Sequence, residues 1–325
     1  MHSHSIVRRR LVAAAFVACS LLSPALAAVA DILVPHNQGT AVLPGVPQRV
    51  AVFDLGALDT LQALGVEVAA VPGARFPASL ARYGDERYAK VGTLFEPDVE
   101  ALRALSPDLI VVGGRSARHY AALSEIAPTL DLGAGATGFG NAVVSNTLTL
   151  GRVFDRNAEA AALVGRLLQR RAELGARLGD ARALTLFVVG GRANANAPGE
   201  RFGIVHDLAL LPSVLPANVD TAPEGARPEA GSPEAEQRRR QSAQRLADAL
   251  AAEPDWLIVL DRGAATGGEA QADAILAADP GVSASRAWRE GRVLRLDPPT
   301  WYLAPGGIAS AQALLDELSG RLADD

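Results

Sequence analysis

The segment from Asp155 to Gly179, DRNAEAAALVGRLLQRRAELGARLG, predicts one long helix near the middle of the chain. Asp155 is its predicted N-cap, and Gly179 is the residue predicted to end it. Residues 156–178 would span roughly 34 Å, which is longer than a crossover helix needs. We therefore interpret 155–179 as a connecting helix between two lobes. The apolar residues that recur at helical spacing are Leu163, Val164, Leu167, Leu168, Leu174 and Leu178.

The sequence on each side of this helix alternates short apolar strands with helices. In the first lobe, residues 49–53 and 66–71 are strand-like and flank a short helical segment, and residues 109–112 form a fully apolar strand. This β-α-β spacing predicts a parallel sheet, and the second lobe repeats the plan with strands at 184–189 and 256–260. The predicted fold class is α/β, with a first lobe at 31–154 and a second at 180–325.

The N-terminus has the features of an export signal. Three consecutive arginines, Arg8 to Arg10, precede an apolar segment, and Ala25-Leu26-Ala27 is a small-x-small cleavage site. We expect residues 1–27 to be removed and the protein to reach the periplasm, by Sec or twin-arginine export. A lipid anchor on Cys19 is the less favoured alternative, because apolar residues follow this cysteine. Cleavage after Ala27 would leave no cysteine, which excludes disulfides and thiol chemistry.

Composition excludes further classes of function. The 325 residues are 49% hydrophobic, enough to fill two cores, and carry a formal charge of −5. Loss of the three signal arginines changes this charge to −8. An acidic chain without a basic tract is expected to bind nucleic acid poorly. No disulfide, metal-ligand cluster or heptad seam suggests an oligomer, so we expect a monomer.

An internal repeat indicates where a ligand would bind. ALRALSPDLIVVGGR and ALAAEPDWLIVLDR superimpose with Pro107 on Pro254, and an arginine follows each proline by eight residues, Arg115 and Arg262. Ligands bind outside the carboxyl ends of parallel strands, so two such arginines would face a shared cleft. Arg201, after a glycine-rich loop, is a third candidate. The alternative is that these arginines are solvated surface residues.

Other motifs are weaker. Trp301 and Tyr302, in DPPTWYLAPGG, either pack between the lobes or form an aromatic wall whose phenol points into the cleft. The sequence contains no P-loop, nucleophile elbow or H-E-x-x-H motif, and its three histidines beyond residue 27 lack the spacing of metal ligands. We therefore predict neither catalysis nor a protein-held metal or cofactor.

Four segments together resemble the periplasmic siderophore-binding proteins of ABC-type iron importers, in particular the catecholate (enterobactin-type) group. They are RVAVFDLGALDTLQALGVEV, VGTLFEPDVEALRALSPDLIVVGGR, ERFGIVHD and LDPPTWYLAPGG, and the resemblance covers nearly all of residues 31–322. It implies two Rossmann-like lobes with parallel sheets joined by a long backbone helix. It also implies that a ferric siderophore lies in the cleft and that permease subunits in the inner membrane receive it.

The resemblance also implies the binding residues. The positions of three cleft arginines match Arg115, Arg201 and Arg262, a cleft tyrosine matches Tyr302, and we include its neighbour Trp301. Some relatives place an iron-ligating histidine in a loop that corresponds to residues 213–240, which contain none here. This departure favours a hexadentate siderophore, although Tyr302 could still bind iron alone. A haem, cobalamin or hydroxamate-siderophore carrier of the same fold is the alternative, and an exported enzyme is a more distant one.

Overall fold

The computed structural model describes residues 31–134, 138–209, 211–218 and 228–321. The predicted export signal, including Cys19, lies outside the described residues. The strands are β1 (Ile32–His36), β2 (Gly39–Leu43), β3 (Val50–Val52), β4 (Ala70–Val71), β5 (Ala89–Lys90), β6 (Leu109–Val112), β7 (Thr129–Asp131), β8 (Ala183–Val189), β9 (Arg192–Asn196), β10 (Trp256–Asp261) and β11 (Val293–Arg295).

The α-helices cover the remaining regular structure, apart from two 3₁₀ helices at Ala78–Gly84 and Ala117–His119. They are α1 (Leu55–Ala63), α2 (Val99–Leu105), α3 (Tyr120–Ser124), α4 (Phe139–Val153), α5 (Asn157–Leu178), α6 (Ile204–Ala209), α7 (Pro233–Ala251), α8 (Arg262–Ala265), α9 (Ala272–Ala278), α10 (Pro280–Ala284), α11 (Arg286–Arg289), α12 (Pro298–Leu303) and α13 (Ile308–Arg321). None of these described helices is both long and apolar enough to cross a membrane.

The first sheet has five parallel strands in the order β5-β4-β3-β6-β7. Its central strands β3 and β6 are buried at every position, as the continuous apolar runs predict for a sheet covered on both faces. Only the last two residues of the predicted strand at 66–71 form a strand, β4. The Val66 amide instead donates a hydrogen bond to the Leu61 carbonyl and extends the turn after α1. The parallel sheet predicted for the first lobe is confirmed.

The second sheet has four strands in the order β11-β10-β8-β9. Strands β8, β10 and β11 are parallel, but β9 runs antiparallel to β8, so this sheet is mixed at one edge. The glycine-rich sequence before Arg201 predicts a loop here. Gly190 and Gly191 both have positive φ, 58° and 72°, and they join the paired residues Val189 and Arg192. Two glycines of this conformation form a tight hairpin turn, which a strand-helix-strand interpretation overlooks.

The connecting helix is α5, with 22 residues. Gly179 ends it with φ 55°, as predicted. The prediction that Asp155 is the N-cap is wrong, because Asp155 itself adopts a left-handed conformation with φ 53° and no side chain caps the helix. The predicted apolar stripe is buried except for Leu168, which is 46% exposed.

Three segments whose sequences are rich in polar residues, proline or glycine form regular structure. Residues 32–43 form the hairpin β1–β2. Helix α7 starts at Pro233, where Ser232 accepts a hydrogen bond from the Ala235 amide. Residues 298–303 form α12, capped in the same way by Asp297. In both helices a proline follows a capping side chain, which is a helix-start signal even in a proline-rich sequence.

The last helix returns to the first part of the chain. Helix α13 packs against α1, α4 and α5. At its N-terminus the buried carboxylate of Asp59, on α1, accepts hydrogen bonds from the Ala309 and Ser310 amides and from the Ser310 hydroxyl. The Ile308 amide donates to the Thr60 hydroxyl. The division into lobes at 154 and 180 stays a prediction. Besides the link through α5, the packing of α13 attaches residues 308–321 to helices that precede residue 154.

This arrangement leads us to expect little domain closure on ligand binding. A long helix bends less readily than extended crossover strands, and the anchored α13 also limits relative movement of the two sheets. Small-angle scattering should therefore give nearly equal radii of gyration with and without ligand. A clear contraction would contradict this expectation.

Candidate functional site

The first two predicted arginines lie at the carboxyl ends of central strands. Arg115 follows β6 through Gly113 and Gly114, and Arg262 follows β10 directly as the first residue of α8. A side chain at position 113 would come within 2.7 Å of the Asp54 carboxylate, so the close approach of Asp54 favours glycine there. The internal repeat thus places one arginine beyond each sheet.

Tyr302 is the point where the predicted arginines meet. The Arg262 Nε donates to the Tyr302 hydroxyl over 3.4 Å. The guanidinium carbons of Arg115 and Arg201 each lie 5.3 Å from the centre of the Tyr302 ring. The structure therefore brings together Arg115, Arg201, Arg262 and Tyr302, which lie far apart in the sequence.

Arg115 also joins the first sheet to α12. It is half-buried, and its Nη2 and Nη1 donate to the main-chain carbonyls of Tyr302 (2.5 Å) and Leu303 (3.3 Å). Burial lowers the pKa of Arg115, and the neighbouring charge of Arg201 lowers it further. Because a guanidinium remains protonated even so, the site keeps a partly desolvated cation that an anionic ligand would stabilise.

Two phenylalanines that the sequence patterns did not indicate complete an aromatic surface. The rings of Phe187, Phe202 and Tyr302 are nearly parallel, with interplanar angles of 6° to 18° and centroid separations of 3.9 to 6.2 Å. The Arg201 guanidinium carbon lies 4.9 Å from the Phe202 centroid. The adjacency of Arg201 and Phe202 was the available sequence signal, since arginine and aromatic side chains often stack.

A cavity of about 360 Å³ lies beside this surface, at the carboxyl ends of the first sheet. Asp54 lies in the wall of this cavity. One of its carboxylate oxygens accepts a hydrogen bond from the Ala57 amide and so caps α1. Burial raises the pKa of Asp54, opposed by that hydrogen bond and by the charge of Arg115. Among the described residues the lining includes Asp54, Arg115, Phe139, Asn146, Arg201 and Leu303, but not Arg262 or Tyr302.

Trp301 is not part of the cleft surface. Its side chain is 3% exposed and packs in the hydrophobic core. The structure therefore corrects its assignment to the ligand site and favours the alternative of packing, because adjacent residues of α12 point in different directions and only Tyr302 faces the arginines.

The three histidines have other contacts. His206 is buried, with its Nε2 3.0 Å from the Thr185 hydroxyl and its Nδ1 2.9 Å from the Leu211 carbonyl. His119 contacts the Phe95 carbonyl, and His36 lies against Tyr120. Within the described ranges, no group of three or more His, Cys, Asp or Glu residues is placed to hold a metal ion.

The arginines should make Tyr302 unusually acidic. Burial raises the pKa of Tyr302, but the hydrogen bond from Arg262 and the charges of Arg201, Arg262 and Arg115 outweigh it and lower the pKa below the ordinary value of 10.0. Burial instead raises the pKa of Tyr83 to about 12. In an alkaline titration followed by ultraviolet absorbance, we expect Tyr302 to ionise before Tyr83, and Tyr302→Phe to remove that earlier phase.

The lowered pKa of Tyr302 also determines how its ionisation affects the stability of the fold. Since the folded-state pKa of Tyr302 is below its unfolded value, ionised Tyr302 stabilises the fold above pH ~10, and this contribution disappears as pH falls through the folded-state pKa. The Arg262→Ala variant should titrate Tyr302 at higher pH. An unchanged titration in this variant would contradict the described contact.

Known proteins resemble this chain over most of its length. Residues 50–300 match the protein family described as Periplasmic binding protein. The chain is 31% identical over 301 residues to the petrobactin-binding protein YclQ of Bacillus subtilis, covering 90% of this chain and 88% of that protein. It is 27% identical over 304 residues to the ferric-anguibactin-binding protein FatB of Vibrio anguillarum, covering 88% and 86%.

Solved structures show the same fold. The crystal structure of YclQ superimposes with a TM-score of 0.77 at 27% identity, covering 91% of this chain and all of that one (100%). The periplasmic catecholate-siderophore binding protein VctP of Vibrio cholerae gives 0.74 at 26%, covering 90% and 100%. These relatives are binding proteins, and the predictions of a two-lobed α/β fold and of a non-enzymatic protein are confirmed. The chain belongs to the periplasmic binding protein family.

Proposed function

We propose that this protein captures a ferric catecholate-type siderophore in the cleft between its lobes and delivers it to the permease of an ABC importer. The observation that carries the proposal is the convergence of three guanidinium groups on one aromatic surface. The proposed ligand contacts are Arg115, Arg201, Arg262 and Tyr302. Relatives named for petrobactin and for a catecholate siderophore support the same class of ligand.

Charge and shape both favour such a ligand. A ferric tris-catecholate carries about three negative charges, and each close pair with a guanidinium gains roughly 4 kcal/mol at an effective dielectric near 20, before desolvation. Guanidinium groups are planar, permanently charged and able to stack on catechol rings. A neutral hydroxamate complex would gain much less from three clustered cations.

The proposed place of action is the periplasm, and the proposed partner is the permease of an ABC importer. The family is one of periplasmic binding proteins, and the predicted signal at residues 1–27 would export the chain to that compartment. We propose that the monomer itself, with no resident metal or cofactor, presents the loaded cleft to inner-membrane permease subunits. A hexadentate siderophore would leave no iron position for a protein side chain to fill.

Ligand-dependent quenching of tryptophan fluorescence tests the ligand class. Trp301 adjoins Tyr302 in α12, so an iron complex bound at the proposed contacts should quench its emission. We expect the tightest binding for ferric tris-catecholates, and weaker binding for ferric trihydroxamates, haem and cobalamin. Tighter binding of a hydroxamate complex or of haem than of any catecholate would overturn the proposal.

A further inference from the structure

Phe95 is an exposed aromatic residue whose main chain is held in place from several sides. Its side chain is 52% exposed, in the loop between β5 and α2. Its amide donates to the Thr93 hydroxyl over 3.2 Å. Its carbonyl accepts from Arg118 Nη2 over 2.9 Å and lies 2.7 Å from His119 Nε2. The fold therefore fixes the main chain that carries this ring, and the ring itself contributes little to the core.

The ring is held beside the proposed ligand contacts. The guanidinium carbon of Arg115 lies 5.9 Å from the Phe95 centroid and 5.3 Å from the Tyr302 centroid. The Arg115 guanidinium thus lies near two aromatic rings, Phe95 from the segment before α2 and Tyr302 from α12. The preceding residue, Leu94, lines the adjoining cavity. A ligand that reaches Arg115 would therefore pass close to the exposed ring of Phe95.

We propose that Phe95 forms a second aromatic wall of the site, opposite Tyr302, and selects for ferric chelates that have aromatic arms. This inference rests on the proposed function and deepens it by assigning a residue that distinguishes ligand classes. The arginines attract any anionic iron chelate, including a citrate complex. A planar aromatic arm would in addition bury apolar area against Phe95 and stack on its ring, whereas citrate has no ring to stack.

Arg118 and His119 are positioning residues in this proposal. Both contact the Phe95 carbonyl, and Arg118 also pairs with the Glu96 carboxylate. Their own side chains act on the ligand only through the loop that they hold. An effect of Arg118→Ala on affinity should therefore disappear when Phe95 has already been removed.

The experiment compares two anionic iron complexes, ferric tris(2,3-dihydroxybenzoate) and ferric citrate, by fluorescence titration of the full-length mature protein. Phe95→Ala should weaken binding of the aromatic complex by about three- to tenfold, the value of one aromatic contact, and change citrate binding by less than about twofold. Phe95→Trp should restore the preference for the aromatic complex. Leu148→Ala, which truncates an exposed apolar residue on α4, is the matched control and should bind both complexes as the parent does.

Three results distinguish a failure of the proposed aromatic wall from a failure of the proposed function. Unchanged binding of the aromatic complex by Phe95→Ala, while Arg262→Ala loses it, overturns the aromatic wall and leaves the proposed function in place. Equal losses for both complexes also overturn the wall, because a contact that selects aromatic arms should weaken the aromatic complex more than citrate. If neither Phe95→Ala nor Arg262→Ala weakens the aromatic complex, the proposed function fails as well. Melting temperatures establish that the variants are folded. Phe95→Leu, which keeps an apolar side chain without the ring, is a second variant.

Discussion

Replacing Arg262 by alanine is expected to weaken binding of a ferric tris-catecholate by roughly thirty-fold to several thousand-fold, equivalent to about 2 to 5 kcal/mol. The substitution removes a charge-assisted contact and leaves a ligand oxygen unpaired inside the occupied cleft. It also removes the hydrogen bond that Arg262 donates to the Tyr302 hydroxyl, so the phenol loses a group that orients it. Isothermal titration or fluorescence quenching measures the loss.

Two comparisons make this result specific. Arg262→Lys keeps the charge but not the planar fork, so its loss should be measurable and smaller than that of alanine. Arg166→Ala removes an exposed arginine from the outer face of α5 and should bind like the parent. Folding should be preserved in all three variants, because Arg262 is itself exposed and lies among other cations. Parent-like affinity in Arg262→Ala would show that this arginine is only a solvated strand end.

Replacing Asp59 by alanine is expected to lower the free energy of unfolding by about 2 to 4 kcal/mol. Asp59 is 1% exposed and accepts three hydrogen bonds from the first residues of α13. Alanine would leave these donors buried without an acceptor, and the end of α13 would lose its attachment to α1. Urea unfolding followed by circular dichroism measures the change.

Two further variants identify the cause of this loss. Asp59→Asn retains one acceptor oxygen and should cost less than alanine, while Ser310→Ala removes only the hydroxyl contact and should cost least. A similar free energy of unfolding for the parent and Asp59→Ala would show that α13 does not depend on this carboxylate. Gly307 lies so close to Asp59 that a methyl group there would come within 2.2 Å of a carboxylate oxygen, so Gly307→Ala should also destabilise.

Local patterns were sufficient to predict much of the fold. The apolar strands at the centres of both sheets and the leucine spacing of α5 are properties of short segments, and each is confirmed. The antiparallel β9 was missed because its sequence, RANAN, has little apolar character and its hairpin depends on the backbone of two glycines. The attachment of α13 was also missed, since a single buried aspartate within a helix gives no sign of its distant partner.

Without the family resemblance, the candidate site was predictable only where position along a strand determines it. Arg115 and Arg262 follow from the repeat, because each lies at the carboxyl end of a buried parallel strand. The stack of Phe187, Phe202 and Tyr302 depends on side-chain directions from three separate segments of the chain, which sequence spacing alone does not provide. For the same reason Trp301 and Tyr302 could not be distinguished before their burial was known.

The route of the last helix affects the order in which the protein can fold. The contact between Asp59 and Ser310 joins residues 251 positions apart, so the face of α1 beneath α13 stays uncovered until residues 308–321 have been synthesised. Closing so long a loop is entropically unfavourable and slow. A nascent chain that has completed only its first sheet is therefore not a finished folding unit. This delay makes residues 308–321, which form α13, decisive for reaching the native state.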